Sequence, residues 1–380
     1  MGRLKIEYRK ILKWLESLNE NRIVPGLERM EKLMMHLGNP EKELEIVMIG
    51  GTNAKGSTCF SLHSTLSRGG FKTGCFTSPH LHSVRERILI GNEIIPMEEF
   101  NACLAKIKDI TEEFRIKPTY FEVLTSVAYY YFHFKNVDYA IMEIGLGGEW
   151  DAVNIGKAKI ALLTTLGFEH EEYLGNTLES IAKTKARIVD EETAVITGWP
   201  SEYHALIPEC QSLVYGKEIA DWIGHVLKVL KLNCPVNMVQ VSGRYEIAGD
   251  FTLDTAHNVQ AIRFLIDKKA DYQKILIGIL KDKNVEEIIG ALPKNSELLL
   301  CSLDTERGVP LSRLKDACIK QGYMCKEFGS VREAMEYATG SETLITGSFY
   351  TISAAREFLK LEGHDELKLW PLSSMKECKT

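Results

Sequence analysis

Apolar positions recur at helical spacing from Leu4 through Tyr8, Ile11, Leu12 and Leu15 to Leu18, which predicts an amphipathic helix. After a turn at Val24, Pro25 and Gly26, a second helix is expected over 27–38, stopped by Gly38 and by Asn39 before Pro40. The pattern then changes: residues 46–50 form a short apolar run read as a strand, which breaks into Gly51, Thr52, Asn53, Ala54, Lys55, Gly56 and Ser57. A helix is expected from Ser57 to the neighbourhood of Gly69 and Gly70. Residues 71–82 read as a strand ending in a polar turn, and a hairpin about Gly91 and Asn92 follows. Helices are expected over 97–114 and 120–134, then a core strand over 137–148 with Glu143 near its C-terminal end, and another over 160–165 leading into Gly167, Phe168, Glu169 and His170. A helical run over 178–189 precedes 193–197, read as the last strand of a first domain. A helix over 220–232 ends before the break at Cys234 and Pro235.

From Ser242 strand-like and helix-like segments alternate again, with strands at 251–254, 274–280, 297–301 and 343–346, and helices from Val259, at 285–292, at 311–321 and after 346. Such alternation implies parallel α/β architecture. The expectation is therefore an α/β chain of two domains: 1–235, with a parallel sheet carrying a P-loop-type phosphate loop, and 236–380, a smaller Rossmann-like unit.

The stretch 51–57 carries the first candidate chemistry. Small residues let backbone N–H groups converge on phosphate oxygens, the helix behind them adds its dipole, and Lys55 adds a full charge. The strict pattern G-x-x-x-x-G-K-[ST] is not met, since Ala54 precedes the lysine and Gly56 follows it. The competing reading is a glycine turn with Lys55 in solvent; the order strand, loop, helix favours the phosphate loop.

Composition narrows the partners. The chain has 380 residues, 45% of them hydrophobic, enough for two cores. A net charge of −6, with no long basic run, argues against nucleic acid or an anionic membrane. Nine scattered cysteines without a C-x-x-C pair read as reduced thiols of a cytoplasmic protein. The first residues lack the apolar core of a secretory leader, position 6 is Ile where a myristoylation pattern needs Ser or Thr, and no stretch is long and apolar enough to span a bilayer.

Several short motifs then occur in one order: GTNAKGS at 51–57, TSPHL at 77–81 with ERI at 86–88, YFE at 120–122, EIGLGG at 143–148 with DAVN at 151–154, and IAKTKARI at 181–188. SGR at 242–244, DTAHN at 254–258, GILKDK at 278–283 and TGSFY at 346–350 continue the series. Together they resemble folylpolyglutamate synthase/dihydrofolate synthase, a family of the Mur ligase superfamily, over nearly the whole chain. The resemblance implies a Mur ligase central domain followed by a Rossmann-like C-terminal domain that closes over the nucleotide. It also implies an acid–amine ligase, in which ATP phosphorylates a folate or pteroate carboxylate and the amino group of L-glutamate attacks the acyl phosphate.

Carried over position by position, the resemblance puts nucleotide contacts at Thr52, Asn53, Ala54, Lys55, Gly56, Ser57, Arg244 and Asp254, and catalytic roles at Lys55, Lys185 and His257. Mg²⁺ ligands fall on Ser78, Glu143 and His170, with Lys185 carbamylated to help hold a second Mg²⁺. Acceptor contacts fall on Tyr120, Phe121, Glu122, Trp150, Asp151 and Ala152. A monomer that binds neither nucleic acid nor membrane completes the expectation. Oxygen donors suit Mg²⁺, which makes histidine an unusual ligand. A carboxylate such as Glu143 on an apolar strand needs a cation or metal to offset its burial.

Each residue also has a plainer reading. Ser78 before Pro79 can cap a turn, Glu169 and His170 can lie on a solvated loop, and Lys185 can be a surface lysine. Arg244 can be a surface charge after a turn, and Asp254 with His257 a helix N-cap cluster. The chain also departs from the family pattern: Ala54 stands for glycine, Glu149 and Trp150 for Arg-Leu, Glu169 for aspartate and Val259 for proline. The stretch between Lys185 and Arg244 is short, without the His-Gln and Asn element that touches adenine. These departures keep two alternatives in play, a related ligase acting on a non-folate carboxylate and a nucleotide-binding module without turnover.

Overall fold

Two sheets organise the chain, which divides into one unit of residues 2–78 and 84–239 and a second of 79–83 and 240–361. The structure is a computed structural model describing residues 2–20, 22–361 and 370–371; the side chains of 2–9 and 370–371 lie outside that description, as does Cys378, so the Leu4 and Tyr8 positions of the first helix are seen only as backbone.

In the first unit α1 (Gly2–Ser17) and α2 (Glu28–Leu37) precede β1 (Ile46–Gly50), α3 (Lys55–Arg68), β2 (Thr73–Phe76), β3 (Ile88–Ile90) and β4 (Glu93–Ile94). Then come α4 (Met97–Glu113), α5 (Tyr120–Phe134), β5 (Tyr139–Glu143), β6 (Ala158–Leu163), α6 (Glu171–Leu174), α7 (Leu178–Lys185), β7 (Ala194–Thr197), β8 (Ser212–Tyr215) and α8 (Ile219–Val229). The strands lie in the order β4-β3-β2-β5-β1-β6-β7-β8. From β2 to β8 neighbouring strands are parallel, while β3 and β4 form an antiparallel hairpin about Gly91 and Asn92.

Central β1 is buried along its whole length because helices cover both faces of a parallel sheet. Its register sets Ile49 beside Glu143 of β5 and Gly50 beside Leu163 of β6. The loop after β1 and the carboxylate ending β5 thus share the carboxyl edge of the sheet, where open α/β sheets bind ligands.

The second unit contains β9 (Val239–Gln240, whose second residue begins it), β10 (Glu246–Ala248), β11 (Phe251–Leu253), α9 (Val259–Lys268), β12 (Lys274–Ile277), α10 (Val285–Gly290), β13 (Glu297–Cys301), α11 (Leu311–Lys320), β14 (Cys325–Phe328), α12 (Val331–Ala338), β15 (Thr343–Thr346) and α13 (Phe349–Phe358). Its sheet runs β10-β11-β15-β12-β13-β14, antiparallel only at β10. Alternate residues of its strands feed two cores: Ile275, Ile277, Leu298 and Leu300 pack with α9, α10 and α11, while Leu276, Leu299 and Cys301 pack with α12 and α13.

Differences from the sequence expectation follow from burial. The strand at 193–197 is not the last of its sheet, because β8 adds to β7 with Leu213 and Tyr215 exposed and so carries no buried alternation to read. Edge strands β10 and β14 escaped notice for the same reason, being mostly half-buried or exposed. Helix α12 buries Val331, Ala334, Met335 and Ala338, a stripe in which two alanines dilute the hydrophobic signal. Helix α7 stops at Lys185, and 186–188 tighten into a 3-10 turn instead of extending the helix.

Candidate active site

The loop after β1 is held by the end of β6. Gly51 has φ +129, and a Cβ there would lie 2.0 Å from Thr164 Oγ1 and 2.9 Å from its backbone nitrogen, so only glycine fits. Thr164 Oγ1 donates to the carbonyls of Gly50 and Asn53 at 3.0 and 2.8 Å. The N–H of Thr52 donates to Thr165 O at 2.8 Å, and that of Asn53 to Thr165 Oγ1 at 2.9 Å. Thr52 Oγ1 donates to Gly167 O at 3.0 Å and accepts the Gly167 N–H at 3.1 Å.

Ala54 then takes φ +67, a left-handed conformation that turns the chain into α3. The helix starts at Lys55, two residues before the Ser57 expected from sequence, so Lys55, Gly56 and Ser57 form its first turn, whose N–H groups lack intrahelical partners by construction. Lys55 Nζ donates to Gly51 O at 2.8 Å and Thr52 O at 3.2 Å, folding the ammonium back over the loop.

Lys185, the last residue of α7, is buried with a side chain 1% exposed. Its Nζ donates to the same Gly51 carbonyl at 3.1 Å and is ion-paired with Glu169. Two ammonium groups therefore converge on one carbonyl, with Glu169 beside them. Burial would raise the Glu169 carboxyl, but the charges of Lys185, Lys55 and His170 outweigh it and hold the group at about 2. Burial, helped by Lys55, pushes Lys185 below the usual lysine range against the pull of Glu169. Both plainer readings of this pair, a solvated Glu169 and a surface Lys185, are excluded.

Glu143, 2% exposed, ends β5 and accepts the Ser78 N–H on Oε2 at 3.0 Å. A buried carboxylate with a hydroxyl-bearing residue at its side is an oxygen-donor set suited to a hard cation that keeps several waters. Among the described residues no group of three His, Cys, Asp or Glu gathers at metal-ligand spacing. His170 sits at the N-terminus of α6 with φ +47.

The expected acceptor residues have mixed duties. Glu122 forms a capping box with Thr119 at the start of α5 and an ion pair with Arg29 at 2.8 Å, a partner the motif reading missed because it lies 93 positions away. Tyr120 is buried under the Arg87 guanidinium, 5.5 Å from its ring centre. Phe121 packs against Gly145, where a Cβ would come within 2.7 Å of its ring. Asp151 accepts the N–H groups of Leu146 and Val153 at 2.7 and 3.0 Å; burial raises its carboxyl to about 6 despite those donors. Ala152 is buried, and Trp150 is 53% exposed.

In the second unit, Arg244 lies in a turn gripped on both sides. Gly243 N–H donates to Glu246 Oε2 at 2.8 Å, Tyr245 N–H to Asp254 Oδ2 at 2.8 Å, and the Arg244 carbonyl accepts from Gln240. Asp254 also accepts the Ala256 N–H at 2.8 Å, and burial raises its carboxyl against the opposing charge of Arg244. His257 Nδ1 is 2.8 Å from Thr255 O. The N-cap of α9 is Asn258, whose side chain accepts the Ala261 N–H at 2.9 Å, so Asp254 and His257 are not the cap.

Residues 49–209 match the family described as the Mur ligase middle domain. The chain is 27% identical over 427 residues to a probable bifunctional folylpolyglutamate synthase/dihydropteroate synthase of Haloferax volcanii, covering 92% of this chain and 50% of that protein. To the dihydrofolate synthase/folylpolyglutamate synthase of Bacillus subtilis it is 37% identical over 195 residues, 50% of this chain and 45% of the relative. To that of Escherichia coli it is 28% identical over 404 residues, 92% of this chain and 94% of the relative. The chain thus spans about half the length of the first curated relatives it matches, and nearly all of the Escherichia coli one. Among solved structures, Escherichia coli FolC in complex with DHPP and ADP superposes with TM-score 0.83 at 26% identity, covering 92% of this chain and 98% of the other. A bifunctional folylpolyglutamate synthase/dihydrofolate synthase with Mn, AMPPNP and L-glutamate bound gives TM-score 0.82 at 25% identity, covering 92% of this chain and 98% of the other.

Proposed function

We propose that this chain is a member of the folylpolyglutamate synthase/dihydrofolate synthase family and an ATP- and Mg²⁺-dependent ligase that joins L-glutamate to the carboxylate of a pteroate or folate. The observation that carries the reading is the loop itself: Gly51 to Ala54 stitched to the end of β6, Lys55 in the first turn of α3, and buried Glu143 on the next strand at the same sheet edge. Loop amides from Ala54 to Ser57 would take the phosphate oxygens, those of Thr52 and Asn53 being held by Thr165 to shape the loop, and Lys55 would leave the Gly51 carbonyl to balance the γ-phosphate. Ser78, Glu143 and His170 would hold Mg²⁺, which when bound draws charge from the phosphate oxygens.

The acceptor carboxylate takes the γ-phosphoryl group, releasing ADP. The glutamate nitrogen then forms the C–N bond while phosphate leaves and the amine gives up a proton. Arg244 and Asp254 are read as nucleotide contacts and His257 as catalytic on the resemblance of their motifs to the family. Tyr120, Phe121, Trp150, Asp151 and Ala152 shape the acceptor side, with Glu122 fixing the start of α5. In this reading Lys185 reacts as a neutral amine with CO₂, losing one proton, to become a carbamate that offers oxygen atoms to a second Mg²⁺. A reducing, cytoplasmic location accords with the unpaired cysteines among the described residues, and the net charge of −6 does not favour nucleic acid as a partner.

The second reading, a ligase for a non-folate carboxylate, draws on exposed Trp150 and on Glu122 being engaged by Arg29 and Thr119. The experiment is Mg-ATP-dependent phosphate release with glutamate across a panel of pteroates, folates and unrelated carboxylates. Turnover confined to pteroates and folates supports the first reading. Turnover only with other carboxylates supports the second, and none with any acceptor refutes both.

A further inference from the structure

The Phe349 ring, half-buried at the start of α13, is the common neighbour of two charged or titratable groups of the second unit. The guanidinium of Arg244 lies 5.2 Å from its centroid, and the imidazole of His257 lies 6.3 Å away at an interplanar angle of 52°. Both distances are within the range of attraction to an aromatic ring.

The ring is itself firmly placed. Ser348 caps α13 by accepting the Thr351 N–H at 3.1 Å, and Thr351 Oγ1 donates to Gly278 O at 3.0 Å. Gly347 has φ +104, its N–H donates to Ala256 O at 2.9 Å, and a Cβ on it would meet Gly278 O at 2.6 Å. The backbone carrying Phe349 is thereby tied to the segment carrying Asp254 and His257. The backbone around Arg244 is fixed by Gln240, Glu246 and Asp254. A long side chain loses much rotamer entropy when it is held in one place, and a ring face beneath the guanidinium lowers that cost at the moment of binding.

We propose that Phe349 is a positioning residue that presents the Arg244 guanidinium to the nucleotide. The inference rests on the reading of Arg244 as a nucleotide contact. It assigns Phe349 no contact with substrate: its effect passes through Arg244, with His257 aligned on the same ring.

The test is calorimetric titration of the full chain with Mg-AMPPNP, which needs no acceptor, together with thermal unfolding. Phe349→Leu should weaken binding about fivefold, the equivalent of a cation–π contact of about 1 kcal/mol, with an unfolding midpoint close to the parent. Phe349→Tyr should restore the parent affinity. Arg244→Ala should weaken binding at least as much as Phe349→Leu, and the double variant should be no weaker than Arg244→Ala alone. Effects that multiply in the double variant, or a Phe349→Leu protein with parent affinity beside a weakened Arg244→Ala, would overturn the proposal and leave the nucleotide role of Arg244 standing. Parent affinity in Arg244→Ala would overturn that role and the proposal with it.

Discussion

Acidification should loosen the packing of α3 against the sheet through one buried histidine. His63 on α3 is fully enclosed against β2 and the turn of the β3–β4 hairpin; its Nε2 lies 2.5 Å from Gly91 O and its Nδ1 2.9 Å from Thr73 Oγ1. The neutral tautomer satisfies both partners, with Nε2–H donating to the carbonyl and Nδ1 accepting from the hydroxyl. Burial lowers its pKa to about 4 from an ordinary value of 6.5, against a smaller opposing effect of the Gly91 carbonyl. The unfolded chain therefore binds a proton below pH 6.5 that the folded chain refuses until about pH 4. The stabilisation is complete above 6.5, shrinks as pH falls through that window, and levels off below it. At about 1.4 kcal/mol per pH unit, the loss is about 2 kcal/mol by pH 5 and about 3 kcal/mol by pH 4. Urea unfolding of the parent and of His63→Gln across pH 4–8 isolates the term, because the carboxylates that titrate near pH 4 are common to both. The parent curve should fall more steeply by these amounts, and parallel curves would refute the reasoning.

Lys55→Ala should lower the rate of acyl phosphate formation more than about a hundredfold while thermal unfolding stays near the parent, since it removes the charge facing the phosphate and no core contact; near-parent chemistry in single turnover would reject the loop assignment. Glu143→Gln should raise the Mg²⁺ concentration for half-maximal activity at least about tenfold, and a rate deficit identical at every Mg²⁺ level would argue for a different role. Ala54→Gly should be active and stabilised by a few tenths to about 1 kcal/mol in urea unfolding, because Ala54 already occupies the left-handed region that glycine enters freely; inactivation would mean the loop needs the Ala54 methyl. Lys185→Ala and Lys185→Arg should both be nearly inactive, and CO₂ depletion should reduce parent activity with bicarbonate restoring it; full activity without CO₂ would return Lys185 to a plain ion-pair role.

Legibility in the sequence followed burial and locality. Strand β1, with every residue buried, announced itself as an apolar run, and the glycine-rich break after it marked the loop. Strand β8, with exposed Leu213 and Tyr215, has no such run and was invisible. Local motifs singled out Lys55, Glu143 and Asp151, which stand at the start of α3, the end of β5 and the start of a short 3-10 turn. They could not find the Arg29 partner of Glu122, the Glu169 partner of Lys185 or the Thr164 hydroxyl that shapes the loop, since each pairing joins distant segments. A polar Thr164–Thr165 step closing an otherwise apolar strand was the available signal for the last of these. The left-handed backbone at Ala54 favours glycine yet tolerates a methyl group, whereas contact with Thr164 makes glycine indispensable at Gly51.

The charge arrangement at Gly51 links this geometry to the chemistry. Lys55 and Lys185 share one carbonyl, and Glu169 is ion-paired with the second of them. Two cations so close are tolerable only with an anion beside them, which accounts for a carboxylate held at about 2 in a buried position. A phosphate entering the loop would supply negative charge from the other side, drawing Lys55 away from the carbonyl and removing one of the two effects that lower Lys185. Carbamylation would go further, turning the Lys185 cation into an anion facing Glu169, and two anions at contact distance need a cation between or beside them. Metal binding and carbamylation, if both occur as proposed, would be coupled through Glu169: the same side chain that neutralises the lysine before modification would raise the demand for a divalent cation afterwards.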